Sequence, residues 1–114
     1  MNTVPVVTID GPGGAGKGTV AKAVARRCGW HLLDSGAIYR LLALASLQKN
    51  IDPEQTDSIA TLAEELDIDF PVVGDDAGEV LLDARVVTLD IRDEACGERA
   101  SVLAADPAVR AALL

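Results

Sequence analysis

The stretch Asp10-Gly11-Pro12-Gly13-Gly14-Ala15-Gly16-Lys17-Gly18-Thr19 constrains this chain more than any other. It follows an apolar, β-branched run, Val4 to Ile9, and precedes a helical pattern that begins near Thr19. Glycines allow positive φ and bring backbone N–H groups against an anion with no Cβ in the way. The helix that follows points its N-terminus, worth about half a positive charge, at the same spot. Lys17 adds a compact cation for the outer phosphates. A di- or triphosphate is the ligand that suits this loop, whose residues are Gly11, Pro12, Gly13, Gly14, Ala15, Gly16, Lys17, Gly18 and Thr19.

Two phosphate-binding readings fit the same ten residues. Gly11, Gly16 and Lys17 match the G-x-x-x-x-G-K core, although Gly18 stands where most such loops carry a hydroxyl, which comes one residue later at Thr19. Gly11, Gly13 and Gly16 also match G-x-G-x-x-G, and Asp34 follows at about the 20 residues expected of a ribose-binding carboxylate. Lys17 favours the first reading, because a dinucleotide fold cradles pyrophosphate with backbone alone. A glycine-rich turn with no ligand is the bland alternative.

The length allows one domain or part of one. The core must be aliphatic, since Phe70, Trp30, Tyr39 and Met1 are the only aromatic residues and methionine. A net charge of −8 argues against a nucleic-acid or anionic-membrane partner and leaves solubility as its simplest use. Cys28 and Cys96 stand far apart without a C-x-x-C or histidine partner, so they read as free thiols in a reduced compartment, with no metal site. No signal peptide or membrane-length apolar run occurs, and a cytoplasmic location follows.

Val4 to Ile9 has the continuous apolar character of a strand buried on both faces of a parallel sheet. Thr19 to Arg27 reads as a helix stopped by Gly29, and Trp30 to Leu33 as a second strand. This βαβ opening predicts an α/β layer. His31, the lone histidine, reads as an ordinary strand residue. Ser35-Gly36 opens the next helix, which Asn50 to Pro53 breaks. A short helix is expected over Ser58 to Leu66. Ile68 to Val73, Glu79 to Asp83 and Arg85 to Leu89 then read as a small antiparallel meander. Helix returns from Asp93 to Ala105. Asp106-Pro107 is a cap followed by a first-turn proline. Its helix reaches Leu114 without a C-cap, so the expectation is an N-terminal portion of a longer protein.

The run Gly11 to Thr19 followed by Trp30-His31-Leu32-Leu33-Asp34-Ser35-Gly36-Ala37-Ile38-Tyr39-Arg40 resembles the bacterial cytidylate kinases. The Lys-Gly-Thr ending is similar to nucleoside monophosphate kinases broadly, whereas Leu-Asp-Ser-Gly-Ala-Ile-Tyr-Arg is specific to the cytidylate branch. The similarity continues through Asp90-Ile91-Arg92, Ser101 and Asp106 to Arg110. It covers the whole chain, but about the first half of a typical member.

This resemblance implies a P-loop NTPase-type parallel sheet flanked by helices, incomplete here, with a small antiparallel β insert for the nucleoside monophosphate. Residues 1–50 would form the P-loop core, 51–105 the insert, and 106–114 the start of a helix returning to the core. The implied reaction moves the γ-phosphoryl of ATP to CMP or dCMP, with Mg²⁺ and with small molecules as the only partners of a monomeric enzyme. Ser35 and Arg40 would grip the acceptor phosphate, a role that a guanidinium fork suits. Ser101 and Arg110 would read the cytosine edge, and Arg92 would act on the acceptor side. The family's later Asp-Gly-Arg-Asp segment and its arginine-bearing lid do not occur in these residues, so the portion present is expected to be silent alone. A non-enzymatic nucleotide-binding module and the dinucleotide-binding domain of an oxidoreductase stand as alternatives. A GTPase is disfavoured, because no Asn/Thr-Lys-x-Asp segment occurs.

Overall fold

A computed structural model describes residues 6–10 and 16–113. These form five α-helices and a small antiparallel sheet: α1 (Lys17–Cys28), α2 (Ser35–Gln48), α3 (Thr56–Glu65), β1 (Ile68–Asp69), β2 (Leu81–Leu82), β3 (Arg85–Val86), α4 (Glu94–Ala104) and α5 (Pro107–Leu113). A 3₁₀ turn over Asp90–Arg92 leads into α4. The composition is that of an α/β chain.

Helix α2 is the centre of the molecule. Asp34 caps it by accepting the Ala37 N–H at 3.2 Å, which satisfies one of the four orphan donors of a helix start. Leu41, Leu42 and Ala43 are wholly buried, with Ile38 and Ala45 nearly so. Its end is a Schellman turn. Asn50 takes φ 54°, the Ile51 N–H donates to the Ser46 carbonyl at 2.9 Å, and the Asn50 N–H donates to Leu47. That geometry closes the last carbonyls, and Ile51 folds back onto the core. Arg99 of α4 donates to the Ile51 carbonyl at 2.9 Å and to the Ser46 hydroxyl, fastening the same corner.

Helices α3 and α4 pack on this rod, and α5 packs on them. Helix α4 lies along α2 and α3 lies along α5. Ile59, Cys96, Leu103 and Val109 complete the buried cluster. Asp106 and Pro107 start α5 as expected: one Asp106 oxygen accepts the Ala108 N–H at 2.9 Å, and the other accepts the Thr56 hydroxyl at 3.0 Å. One carboxylate thus caps α5 and ties it to the start of α3. Helix α3 begins two residues before the expected Ser58 and ends one before Leu66.

The meander forms with the order β1-β2-β3, Ile68 opposite Leu82 and Leu82 opposite Arg85. Its strands are shorter than the apolar runs predict. Pro71 has no N–H to give, which ends the first strand's ladder. Asp83 and Ala84 both have positive φ, 51° and 66°, the two-residue turn whose twist matches paired strands. Beyond the ladder, the Val87 N–H still donates to the Val80 carbonyl at 2.8 Å.

The expected parallel sheet is not shown. Among the described residues it does not form: Val6 to Ile9 and Trp30 to Leu33 carry no strand, and residues 4–5 of the first run lie outside the described ones. Both segments border an apolar cavity of about 620 Å³, backed by Ala21, Val24 and Ala25 of α1. Val6 and Leu33 are 80 % and 70 % exposed. β-branched composition supplies propensity, but a strand exists only by pairing, and neither segment has a partner strand on its flank. Helix α1, laid over this gap, buries only Ala25.

Amide hydrogen exchange should reflect this division. The Val6 to Ile9 and His31 to Leu33 amides should exchange within about tenfold of unprotected rates, whereas those of Leu41 to Ala45 should be the slowest in the molecule. Strong protection of Val6 to Ile9 would show that a sheet forms there after all.

Candidate acceptor-nucleotide site

Three elements meet around a second cavity of about 460 Å³. Helix α1 contributes Lys17 and Lys22, the start of α2 contributes Gly36, Ala37 and Arg40, and the meander contributes Phe70, Pro71, Glu79, Val80 and Thr88. Ile91 and Arg92 of the 3₁₀ turn close it. In a chain of net charge −8, four basic side chains line one cavity against two acidic ones, Asp34 and Glu79.

Each basic group has a local reason to be there. Gly16 precedes α1 with φ 83°, a left-handed conformation that glycine adopts without strain, and so lets Lys17 stand as the first helical residue. Gly11 to Ala15, the rest of the expected phosphate cradle, lie outside the described residues. The first turn of α2 lines the cavity, so its capped N-terminus brings its partial positive charge to the same place. Arg40 follows on α2, half-buried, and donates from Nη1 to the Ile91 carbonyl at 2.8 Å. Its guanidinium lies flat on α4 at Gly97: a Cβ there would stand 3.1 Å and 3.2 Å from the two terminal nitrogens. Four N–H donors of the guanidinium are left after the Ile91 contact.

Cys96 braces this arginine from behind. Its thiol is buried and donates to the Arg40 carbonyl at 3.1 Å. Burial pushes the thiol pKa upward, and the nearby Arg40 charge offsets part of that rise.

The other expected site residues are spread more widely. Ser35, the first residue of α2, borders the apolar cavity and not the charged one. Gly18 and Thr19 sit exposed in the first turn of α1, and Thr19 is not among the lining residues. Ser101 is exposed on α4, its hydroxyl donating to the Gly97 carbonyl at 3.2 Å. Arg110 is exposed on α5. Three expected residues therefore converge on the charged cavity: Lys17, Arg40 and Arg92. Sequence reasoning missed Lys22, Glu79 and Thr88. Lys22 belongs to no motif, and Glu79 and Thr88 approach only because the meander folds. Among the described residues, no group of three or more histidine, cysteine, aspartate or glutamate side chains is placed to hold a metal.

Comparison with known proteins gives the family. The family model described as cytidylate kinase matches residues 7–114. This chain belongs to the cytidylate kinase family. It is 53% identical over 111 residues to a cytidylate kinase of Shewanella baltica, strain OS155, covering 96% of this chain and 48% of that protein. A cytidylate kinase of Klebsiella pneumoniae, strain 342, is 52% identical over 111 residues, 97% of this chain and 48% of its own length. One of Marinomonas sp., strain MWYL1, is 49% identical over 114 residues, 100% of this chain and 50% of its own. The chain spans about half the length of the curated relatives it matches. Membership of the cytidylate kinase family supports the kinase reading of the glycine-rich loop over the dinucleotide reading. Among the described residues, no helix is long and apolar enough to cross a membrane.

The two thiols should report the packing behind Arg40. At pH 8 a thiol-specific reagent should label exposed Cys28 readily and Cys96 at least about a hundredfold more slowly, since the reactive thiolate is scarcer where burial raises the pKa. Equal labelling would mean that α4 does not pack on α2 as described.

Proposed function

We propose that this chain carries the phosphate-binding and acceptor-binding part of an enzyme that moves the γ-phosphoryl group of ATP to CMP or dCMP. The observation that carries the reading is the single cavity on which Lys17 of α1 and Arg40 of α2 converge. One cation follows the glycine-rich loop, the donor side, and the other sits one turn beyond a helix N-terminus, the acceptor side. We read residues 1–50 as the phosphate-binding core, 51–105 as the monophosphate-binding insert and 106–114 as a helix leading back to the core, in a monomeric, cytoplasmic enzyme.

In this reading Lys17 and the loop amides hold the β- and γ-phosphates of ATP, and Thr19 offers a hydroxyl beside them. Arg40, oriented by the Ile91 carbonyl, uses its remaining N–H groups on the acceptor's 5′-phosphate. Ser35 and the α2 N-terminus assist there, and Arg92 adds charge from the 3₁₀ turn. Ser101 and Arg110 are the residues that the family likeness proposes for the base. A 5′-phosphate oxygen then attacks the γ-phosphorus in line, the bond to the β–γ bridging oxygen breaks, and ADP leaves. The chain's part is positioning and charge stabilisation, which is most of what phosphoryl transfer asks of a protein. Mg²⁺ arriving with ATP would supply charge neutralisation on the phosphates, beside Lys17 and the Thr19 hydroxyl.

Two substitutions test the two ends. Within a polypeptide of the relatives' full length, Lys17→Ala should lower turnover by about 10²-fold or more with the fold intact. Near-normal turnover would remove Lys17 from the mechanism. Arg40→Ala should weaken CMP binding about tenfold or more, the worth of a charged hydrogen bond, and leave ATP binding unchanged. Calorimetry with unaltered CMP affinity would return Arg40 to a purely structural role.

A further inference from the structure

Lys22 belongs to no sequence motif, yet it lines the charged cavity. It stands on α1 five residues beyond Lys17, about 7.5 Å further along the helix from the glycine-rich loop. Arg26, one turn later on the same face of α1, shows which way that face points. Its Nε–H donates to the Val72 carbonyl of the meander at 3.1 Å. Pro71, the residue before Val72, lines the cavity as Lys22 does. The face of α1 that bears Lys22 and Arg26 is therefore turned toward the meander, with the cavity between them.

The ammonium of Lys22 is also uncommitted. Among the described residues it has neither an ion pair nor a hydrogen bond, in a chain where 18 acidic residues outnumber 10 basic ones. The two carboxylates at the cavity are engaged elsewhere: Asp34 caps α2, and Glu79 accepts from the Thr88 hydroxyl. An exposed lysine left unneutralised beside Arg40 and Arg92 raises the local positive potential, which a bound anion lowers. Lys17 sits at the loop end of α1, the donor side. Lys22, deeper along α1, shares the cavity with Arg40 and the first turn of α2, the acceptor side.

We propose that Lys22 is a further phosphate-binding residue, donating from its ammonium to the 5′-phosphate of the acceptor nucleotide together with Arg40. The proposal rests on the acceptor-nucleotide reading above and adds a residue outside both the glycine-rich loop and the run from Trp30 to Arg40. Arg40 brings a planar fork from a buried helix. Lys22 brings a point charge on a flexible stem, which adjusts to the phosphate without a fixed geometry. A phosphate between the two cations replaces their mutual repulsion with two attractions.

The test is calorimetry of CMP and ATP binding in a polypeptide of the relatives' full length, with circular dichroism to establish folding. The parent is compared with Lys22→Met, which keeps an apolar stem, and with Lys22→Arg, which keeps the charge. Lys49→Met, at the exposed far end of α2, controls for loss of one positive charge. Lys22→Met should weaken CMP binding about fivefold or more at low salt and flatten its salt dependence, because one screened contact is gone. Its ATP affinity should stay within about twofold of the parent's, and Lys22→Arg should hold CMP within about threefold. Lys49→Met should match the parent for both nucleotides. A folded Lys22→Met protein with the parent's CMP affinity would overturn the proposal and leave the Arg40 site standing. A loss that falls on ATP instead would overturn it by moving Lys22 to the donor. Weaker CMP binding with the parent's salt dependence would also overturn it, by making the role structural. An equal loss in Lys49→Met would overturn it by reducing the effect to net charge. A folded parent that does not bind CMP would overturn the site reading, and this proposal with it.

Discussion

The structure depends on the burial of one helix. Among the described residues, α3, α4 and the 3₁₀ turn all close on α2, whose middle, from Leu41 to Ala45, is buried, and α5 packs in turn on α3 and α4. Fully burying a leucine is worth about 1.5–3 kcal/mol, and Leu41 and Leu42 are both sealed. The two ends of this rod do different work. Its C-terminal corner is locked by the Schellman turn at Asn50 and by Arg99. Its N-terminal end is left open at a cavity, where the cap and the first-turn amides meet the lysines of α1. A rigid core thus presents Arg40 to the cavity from a fixed helix, which is what a phosphate grip needs.

Charge distribution follows the same division. The chain as a whole is acidic, and most of its carboxylates sit on exposed helix faces or loops. Its basic residues are few enough that their gathering is informative. Lys17, Lys22, Arg40 and Arg92 come from three separate elements, yet they line one cavity. Like charges placed together cost free energy unless an anion joins them. In the proposed reading that anion is the phosphate of the bound nucleotide.

What the sequence revealed and what it hid differ by the range of the interactions involved. Asp106 and Pro107 act within one helical turn and start α5 as their residue types demand, whereas Asp34, read from the sequence only as a candidate ribose carboxylate, caps α2. Lys17 and Arg40 were legible through a motif and a family likeness, and the cavity brings both together. The parallel sheet was not reached, because Val6 to Ile9 and Trp30 to Leu33 have strand composition without a neighbour to pair with. The meander strands were overdrawn because apolar runs do not register that Pro71 interrupts a ladder. Glu79 and Thr88 stood nine residues apart in an acidic, unremarkable stretch. Only the two-residue turn at Asp83-Ala84, which folds one strand onto the next, turns them into a linked pair at the cavity wall. Ser101 and Arg110 were readable only through the family, and in this chain they lie on exposed helix faces away from the charged cavity.

The central claim of the proposed reading is that the charged cavity between α1, α2 and the meander receives the phosphate of the acceptor nucleotide. A crystal structure of this chain grown with CMP tests it most directly. The account predicts phosphate oxygens within hydrogen-bonding distance, about 2.7–2.9 Å, of the Arg40 guanidinium. Nucleotide bound instead in the apolar cavity between Val6 to Ile9 and Trp30 to Leu33, or with its phosphate at the meander, would contradict it.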